Sequence, residues 1–280
     1  MIPAEFDYRR VATVDEAIAA LGEGGEDSKL LAGGHSLVPL MKLRLAAPTQ
    51  LIDIGGIAEL RGVSRSSGGW RIGPLTTHAT LQSSEELGAI AAVATQIADQ
   101  QVRNRGTIGG SIAHGDPASD LPAVLLALDA TVTVRGAGGE RTIPVADLWQ
   151  DYLTTSLAPD EVITAIDVPS AEGFGWGYEK FTRRAEDWAM AGVVALVKAS
   201  GGTCEDVRIG LTHMASTALR ATAAEDALRG QPLDVEHIAA AAELAAEGTE
   251  PPGDLNATPE YKQHLTRVLT RRALTQASGG

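Results

Sequence analysis

A chain of 280 residues with a formal net charge of −13, its acidic residues spread along the length, is a poor match for a basic nucleic-acid groove. No apolar run reaches the ~18 residues of a membrane span, and the start has neither the basic nor the apolar region of a secretory signal, so a cytoplasmic protein is expected. The single cysteine, Cys204, excludes an internal disulfide and thiolate ligation of an iron–sulfur cluster or structural zinc, and the six histidines are scattered without a metal-binding spacing.

In chain order, residues 14–21 read as a helix that stops at Gly22-Glu23-Gly24-Gly25. Residues 29–32 read as a short buried strand followed by a Gly-Gly turn. Ser36 is placed to cap a helix over 37–45, and 50–54 reads as another short strand. A hairpin is expected over 60–64 and 70–73, around Ser66-Ser67-Gly68-Gly69, and then one long helix over 84–101. That helix ends before a second glycine-rich turn over 106–110. Asp116 and Pro117 then open a helix as its cap and first position, with Leu121, Val124, Leu125 and Leu128 as an apolar stripe.

Residues 131–135, 141–143 and 162–168 read as strands, and composition shifts near Ala171-Glu172-Gly173. Beyond that point 175–181, 190–199 and 207–213 suggest a three-stranded sheet. An Ala-rich helical region follows, then a last helix capped by Thr258 with Pro259 at its first position. Strands and helices mix without strict alternation, which makes the class α+β. The expected division is 1–171, with halves at about 1–54 and 55–171, followed by 172–280.

Two glycine pairs carry the chemistry: Ala32-Gly33-Gly34-His35-Ser36 and Thr107-Ile108-Gly109-Gly110-Ser111. Paired glycines permit positive φ and close approach of backbone N–H groups to an anion, and two such loops suit the pyrophosphate of a dinucleotide. More familiar nucleotide motifs are absent. Gly22-Glu23-Gly24-Gly25-Glu26-Asp27 lacks the third glycine of a dinucleotide fingerprint and follows a helix, and no lysine follows a glycine as a P-loop requires. Ser36 and Ser111 lack the hydrolase elbow.

The run Leu31-Ala32-Gly33-Gly34-His35-Ser36-Leu37-Val38-Pro39-Leu40-Met41-Lys42-Leu43-Arg44-Leu45 closely resembles the first FAD loop of carbon monoxide dehydrogenase medium subunits. The run Arg105-Gly106-Thr107-Ile108-Gly109-Gly110-Ser111-Ile112-Ala113-His114-Gly115-Asp116-Pro117-Ala118-Ser119-Asp120 looks like the second, shared more loosely with the xanthine dehydrogenase flavin domain. The likeness continues through Gly73-Pro74-Leu75-Thr76-Thr77-His78, Tyr178-Glu179-Lys180-Phe181 and the last helix, and so covers nearly the whole chain.

The resemblance implies a vanillyl-alcohol oxidase-like (PCMH-type) FAD-binding fold followed by a smaller α+β C-terminal domain. It implies that Ala32, Gly33, Gly34, His35, Ser36 and Leu37, with Thr107, Ile108, Gly109, Gly110 and Ser111, cradle the FAD pyrophosphate, while Lys29, Leu30 and Leu31 line the adjacent strand. Asp120 matches a position contacting the hydroxyl-bearing part of the cofactor, and Ile163 one whose backbone faces the adenine end. Lys180 matches a lysine near the flavin ring, and Asp187 and Trp188 an acidic and an aromatic residue beside it. Trp188 departs from the tyrosine usual in these subunits; His35 and His114 are implied to shape the loops, and His78 is a weaker contact candidate.

Without the resemblance, Asp120 reads as a solvated first-turn aspartate and Lys180 as a strand-edge lysine, the commoner fates of such residues. The function implied is electron transfer by FAD inside a molybdenum hydroxylase. An iron–sulfur small subunit and a molybdenum-cofactor large subunit are the expected partners, in a dimer of heterotrimers. A stand-alone flavin oxidoreductase of the same fold is the alternative; it needs an acid–base residue over the ring, for which the sequence offers no clear candidate.

Overall fold

The computed structural model describes residues 2–279, and none of its helices is long and apolar enough to cross a membrane. The chain begins with β1 (Asp7–Arg10), α1 (Val14–Gly24), β2 (Ser28–Leu31), α2 (Leu37–Leu43) and β3 (Gln50–Asp53). β3 pairs in parallel with β1 on one side and β2 on the other. Thr13 caps α1 by accepting from the Glu16 N–H, and Val14, Ala17, Ala20 and Leu21 bury the face toward the sheet. The strand expected over 29–32 is only half buried at Leu30 and Leu31. Ser36 has helical backbone angles and no capping bond, so α2 starts without the cap its sequence suggests.

β4 (Val63–Ser66) and β5 (Gly69–Ile72) form the expected hairpin, shifted toward the C-terminus in its first strand. The long helix expected over 84–101 is instead three pieces. After α3 (His78–Gln82) come a 3-10 turn at Glu85–Leu87, α4 (Ala89–Thr95) and α5 (Gln100–Arg103). Gly88 at φ 54 and Ala98 at φ 43 break the run. Asp99 restarts it by accepting from the Val102 N–H at 2.8 Å.

The second glycine pair is not a turn. Gly109 and Gly110 lie in the first turn of α6 (Ile108–His114), which Thr107 caps by accepting from the Gly110 N–H. Asp116 caps a turn rather than a helix, its carboxylate accepting from the Ala118 N–H at 2.8 Å. α7 (Asp120–Ala127) begins four residues later and is buried at every position, so its apolar stripe is a whole circumference.

β6 (Thr131–Gly136), β7 (Gly139–Pro144), a small hairpin of β8 (Trp149–Asp151) and β9 (Thr154–Thr155), and β10 (Val162–Pro169) follow. The larger sheet runs β4-β5-β10-β6-β7, and the core between it and the helices is filled by α4, α6 and α7.

Beyond it, β11 (Phe174–Phe181), β12 (Ala191–Ser200), β13 (Thr203–Thr212) and β14 (Leu219–Arg220) make one antiparallel sheet, with β14 the strand the sequence did not announce. α8 (Thr222–Leu228), α9 (Val235–Glu243) and α10 (Pro259–Ala277) close the chain. β12 explains its own uninterrupted apolar sequence. Val194 and Leu196 point into the core shared with α7, while Val193, Ala195 and Val197 point into the one built with α8 to α10.

β13 lies so close to α7 that a Cβ at Gly210 would sit 2.2 Å from the Ala123 carbonyl oxygen. Gly210→Ala should therefore destabilise the protein by about 1–3 kcal/mol in denaturant melts. Gly138→Ala, at a glycine with open space around it, should change stability by less than about 0.5 kcal/mol. Equal effects would contradict the direct packing of β13 on α7.

Candidate functional site

A cleft of about 540 Å³ is bounded by β2 and the loop after it, by α6, by the start of β10, and by β11 with the loop that follows it. The first loop enters it along residues 29–37, all of which line the cleft. Gly34 takes φ 79, a backbone conformation that suits glycine. Gly33 does not; its constraint is contact, since a Cβ there would lie 2.1 Å from the Arg105 carbonyl oxygen. The N–H groups of Gly33, Gly34, His35, Ser36 and Leu37 donate to no acceptor among the described residues. A row of unpaired N–H groups facing a half-enclosed cleft has the donor chemistry that suits an anion.

The second loop works differently from the first, against the expectation that both offer N–H groups. Ile108 N–H donates to the Thr76 carbonyl at 3.1 Å and Gly109 N–H to the Pro74 carbonyl at 2.8 Å. Gly110 and Ser111 N–H groups are taken by the Thr107 hydroxyl and carbonyl. Thr107, Gly109, Gly110, Ser111 and His114 do line the cleft, while the Ile108 side chain is turned into the core. Gly109 is glycine because a Cβ would lie 2.4 Å from Pro74 Cβ. The pair thus brings a smooth, side-chain-free helix turn to the cleft and supplies few free donors.

At the far end the two domains meet in a buried network. Asp120, the first residue of α7, accepts from the Tyr178 hydroxyl at 2.7 Å and from Lys180 Nζ at 2.9 Å; Lys180 also donates to the Gln96 carbonyl at 3.0 Å. Lys180 and Asp120 side chains are 3% and 6% exposed, so the aspartate is not solvated and the lysine, although on the edge strand of its sheet, is turned into the protein rather than to water. Burial pushes the Asp120 carboxyl above its usual range, against the opposing pull of Lys180 and Tyr178. Burial likewise pushes the Tyr178 phenol up, with the Asp120 carboxylate adding to it. Asp120 and Lys180 both line the cleft, as do Ile163 on β10 and Asp187 and Trp188 after β11.

Tyr178 was given no role from the sequence. The signal was present, because Tyr178 and Lys180 are two apart on one strand and so share a face. Glu186, Ile97 and Val102 also line the cleft unannounced. His78 lines it too, packed against Gly106, with Nδ1 buried and unpaired. Burial, then His35 and Arg103, hold its imidazole down at about 4, so it is neutral at neutral pH. Burial also lowers His114, with Asp116 opposing. No group of three or more His, Cys, Asp or Glu side chains among the described residues is placed to hold a metal ion.

Residues 4–171 match the family described as the FAD binding domain in molybdopterin dehydrogenase, and residues 176–277 match the CO dehydrogenase flavoprotein C-terminal domain. The carbon monoxide dehydrogenase medium chain of Hydrogenophaga pseudoflava is 44% identical over 282 residues, covering 99% of this chain and 98% of that one. The 6-hydroxypseudooxynicotine dehydrogenase complex subunit alpha of Paenarthrobacter nicotinovorans is 39% identical, covering 99% and 96%. Among solved structures, carbon monoxide dehydrogenase from Hydrogenophaga pseudoflava superimposes with a TM-score of 0.96 at 46% identity, over 100% of this chain and 99% of that one. Quinoline 2-oxidoreductase from Pseudomonas putida 86 gives 0.95 at 32% identity, with the same coverage. With both halves of the chain matched and relatives aligned from end to end, the chain belongs to the FAD-binding medium-subunit family of molybdenum hydroxylases, an FAD-dependent group of oxidoreductase subunits.

Proposed function

We propose that this chain is the electron-transfer subunit of a cytoplasmic heteromeric molybdenum hydroxylase. It takes electrons from an iron–sulfur partner subunit fed by a molybdenum-cofactor subunit, passes them to an external acceptor, and assembles as a dimer of heterotrimers. The observation that carries the reading is the row of unpaired N–H groups at residues 33–37, set in a cleft built from both domains. An anionic dinucleotide satisfies them, and it does so in a protein of net charge −13, where local dipoles have to overcome the overall field. The division of the chain at residues 171 and 172 separates a backbone-rich cradle from the side chains of β11 and its loop.

FAD, when bound, supplies the redox chemistry, exchanging electrons singly or in pairs. The residues of this chain bind and tune it. Residues 32–37 would hold the pyrophosphate, with Thr107, Gly109, Gly110 and Ser111 as the flat facing surface and Lys29, Leu30, Leu31 and Ile163 along the cleft beside them. Lys180 and Asp120 act as a coupled pair, the ammonium favouring negative charge on the reduced cofactor and the carboxylate tempering it. Cys204 is alone and buried, and among the described residues no group of three or more His, Cys, Asp or Glu side chains is placed to hold a metal ion. Substrate oxidation therefore belongs to the partners, consistent with relatives named for substrates as different as carbon monoxide and 6-hydroxypseudooxynicotine.

Gly34→Val places a branched side chain at positive φ, which costs about 1–2 kcal/mol from backbone geometry alone. Its Cβ would also stand 3.2 Å from Leu31 and Val38 side-chain carbons. The variant should fold yet retain no FAD by absorbance, and full flavin content would sink the cradle. Lys180→Met should lower the reduction potential of the bound flavin and Asp120→Asn should raise it, read by dye-equilibrium titration. Shifts of the same sign would end the coupled-pair reading. The isolated FAD-loaded chain should oxidise neither carbon monoxide nor N-heterocycles with an artificial acceptor, and should gain turnover only with both partner subunits. Turnover by the lone chain would favour a stand-alone oxidoreductase.

A further inference from the structure

The second domain buries another lysine, away from the Asp120 network. Lys262, on α10, has no exposed side-chain surface; its ammonium donates to Asp254 Oδ2 at 2.7 Å and to His213 Nε2 at 3.4 Å. A buried ammonium is costly unless its partners are fixed. Asp254 is fixed, with Oδ1 accepting from the Asn256 N–H at 2.7 Å and the Ala257 N–H at 3.0 Å.

His213, just past β13, holds φ 65, a conformation uncommon for a residue with a side chain. Three parts of the molecule account for it. Its N–H donates to the Pro117 carbonyl at 2.8 Å ahead of α7, its Nδ1 lies 2.6 Å from the Ala189 carbonyl oxygen, and its Nε2 faces Lys262. A carbonyl only accepts and an ammonium only donates, so the ring is locked with its proton on Nδ1. Burial and Lys262 push the imidazole below its ordinary value, opposed by the Ala189 carbonyl, Asp254 and Asp116.

Ala189 directly follows Asp187 and Trp188, which line the cleft. Trp188 is 56% exposed, so packing anchors this segment only at its end, where Ala189 and Met190 are buried. Its other hydrogen bonds are local or long. Met190 N–H bonds the Phe181 carbonyl at the loop's base, Asp187 N–H bonds the Arg184 carbonyl within it, and Arg183 reaches Asn256 Oδ1 at 3.4 Å.

We propose that His213 is a positioning residue, held in one tautomer by Lys262, that ties the Asp187–Trp188 loop against the cleft through the Ala189 carbonyl. The consequence for a bound cofactor rests on the FAD reading above; the tie itself does not.

The test compares His213→Gly, which suits the positive φ and removes the donor, with His213→Asn, which tolerates that φ and keeps an N–H near the position of Nδ1. Trypsin cleavage after Arg183 and Arg184, both exposed, reports loop opening in the full chain with and without FAD. Losing one hydrogen bond of ordinary strength should make the glycine variant cut about tenfold faster there. Cutting elsewhere and the melting temperature should stay near wild type, and the asparagine variant should be cut as wild type is. FAD release should accelerate by a similar factor in the glycine variant.

Equal cutting of wild type and the glycine variant, or failure of asparagine to restore protection, would overturn the proposal. Faster cutting with unchanged FAD release would leave the tie standing and overturn the loop's part in holding the cofactor. Should the glycine variant be recovered unfolded, the double variant Lys262→Met/Asp254→Asn carries the test, since it removes both charges together and leaves neither buried alone. With no ammonium facing Nε2 the ring is free to take its other tautomer, so cutting should rise above that of wild type. Wild-type cutting in the double variant would overturn the lock by Lys262.

Discussion

A carboxylate buried where two domains meet has to be answered by donors from both sides, and Asp120 sets that condition for this molecule. It stands at the first position of a helix with no exposed face, so neither it nor α7 can turn toward water. Its two oxygens are taken by Tyr178 and Lys180, alternate residues of one strand of the second domain. Removing one partner of such a pair costs about 3–5 kcal/mol, because the other charge stays buried. The arrangement therefore fixes how β11 lies against α7. The direct contact of Gly210 with the α7 backbone and the two-faced burial of β12 then complete the same seam.

That seam gives the cleft its shape, and the glycines give it its surface. The two glycine pairs look equivalent as sequence but solve different problems. Gly34 supplies a conformation, whereas Gly33 and Gly109 supply absence of bulk where one backbone crosses another. The strand-like exchange of bonds between residues 74–78 and 106–109 uses the N–H groups of the second loop to hold the two crossing segments together. The first loop crosses the 105–106 backbone without hydrogen-bonding to it, and its donors are left free. On the reading proposed above, an anion is gripped from one side and merely accommodated from the other.

How much of this was legible depends on how local each determinant is. Helix starts fixed by a neighbouring side chain, Thr13 on α1 and Thr258 on α10, follow from a few adjacent residues. The shift of composition near residues 171–173 and the two glycine motifs are equally local. The break of the 84–101 stretch was locally written too, in Gly88 and Asp99, but an apolar, alanine-rich composition masked it. Asp116 and Ser36 are cap-type residues without a helix-capping bond: the Asp116 carboxylate and carbonyl are spent on a turn, accepting from the Ala118 and Ser119 N–H groups, and Ser36 itself takes helical angles two residues after the glycine turn at Gly34. The two-residue spacing of Tyr178 and Lys180 put them on one face of a strand, but the burial of Lys180 was out of reach of composition and period. Only the meeting of α7 with β11 decides that a lysine on a strand is buried.

The two buried lysines show how labour is divided between the halves of the chain. Lys180 and Lys262 both belong to the second domain, both are answered by an aspartate, and neither reaches bulk water. Lys180 turns its charge toward the cleft; Lys262 turns its charge away, onto a histidine that grips the loop beside the cleft. On the reading proposed above, the first domain meets the cofactor mainly with backbone, which has fixed partial charges and cannot titrate near neutral pH. The second meets it with side chains whose charges are tied to buried partners in the first domain, Lys180 to Asp120 and to the Gln96 carbonyl, so a change in any one of them has to be answered across the seam.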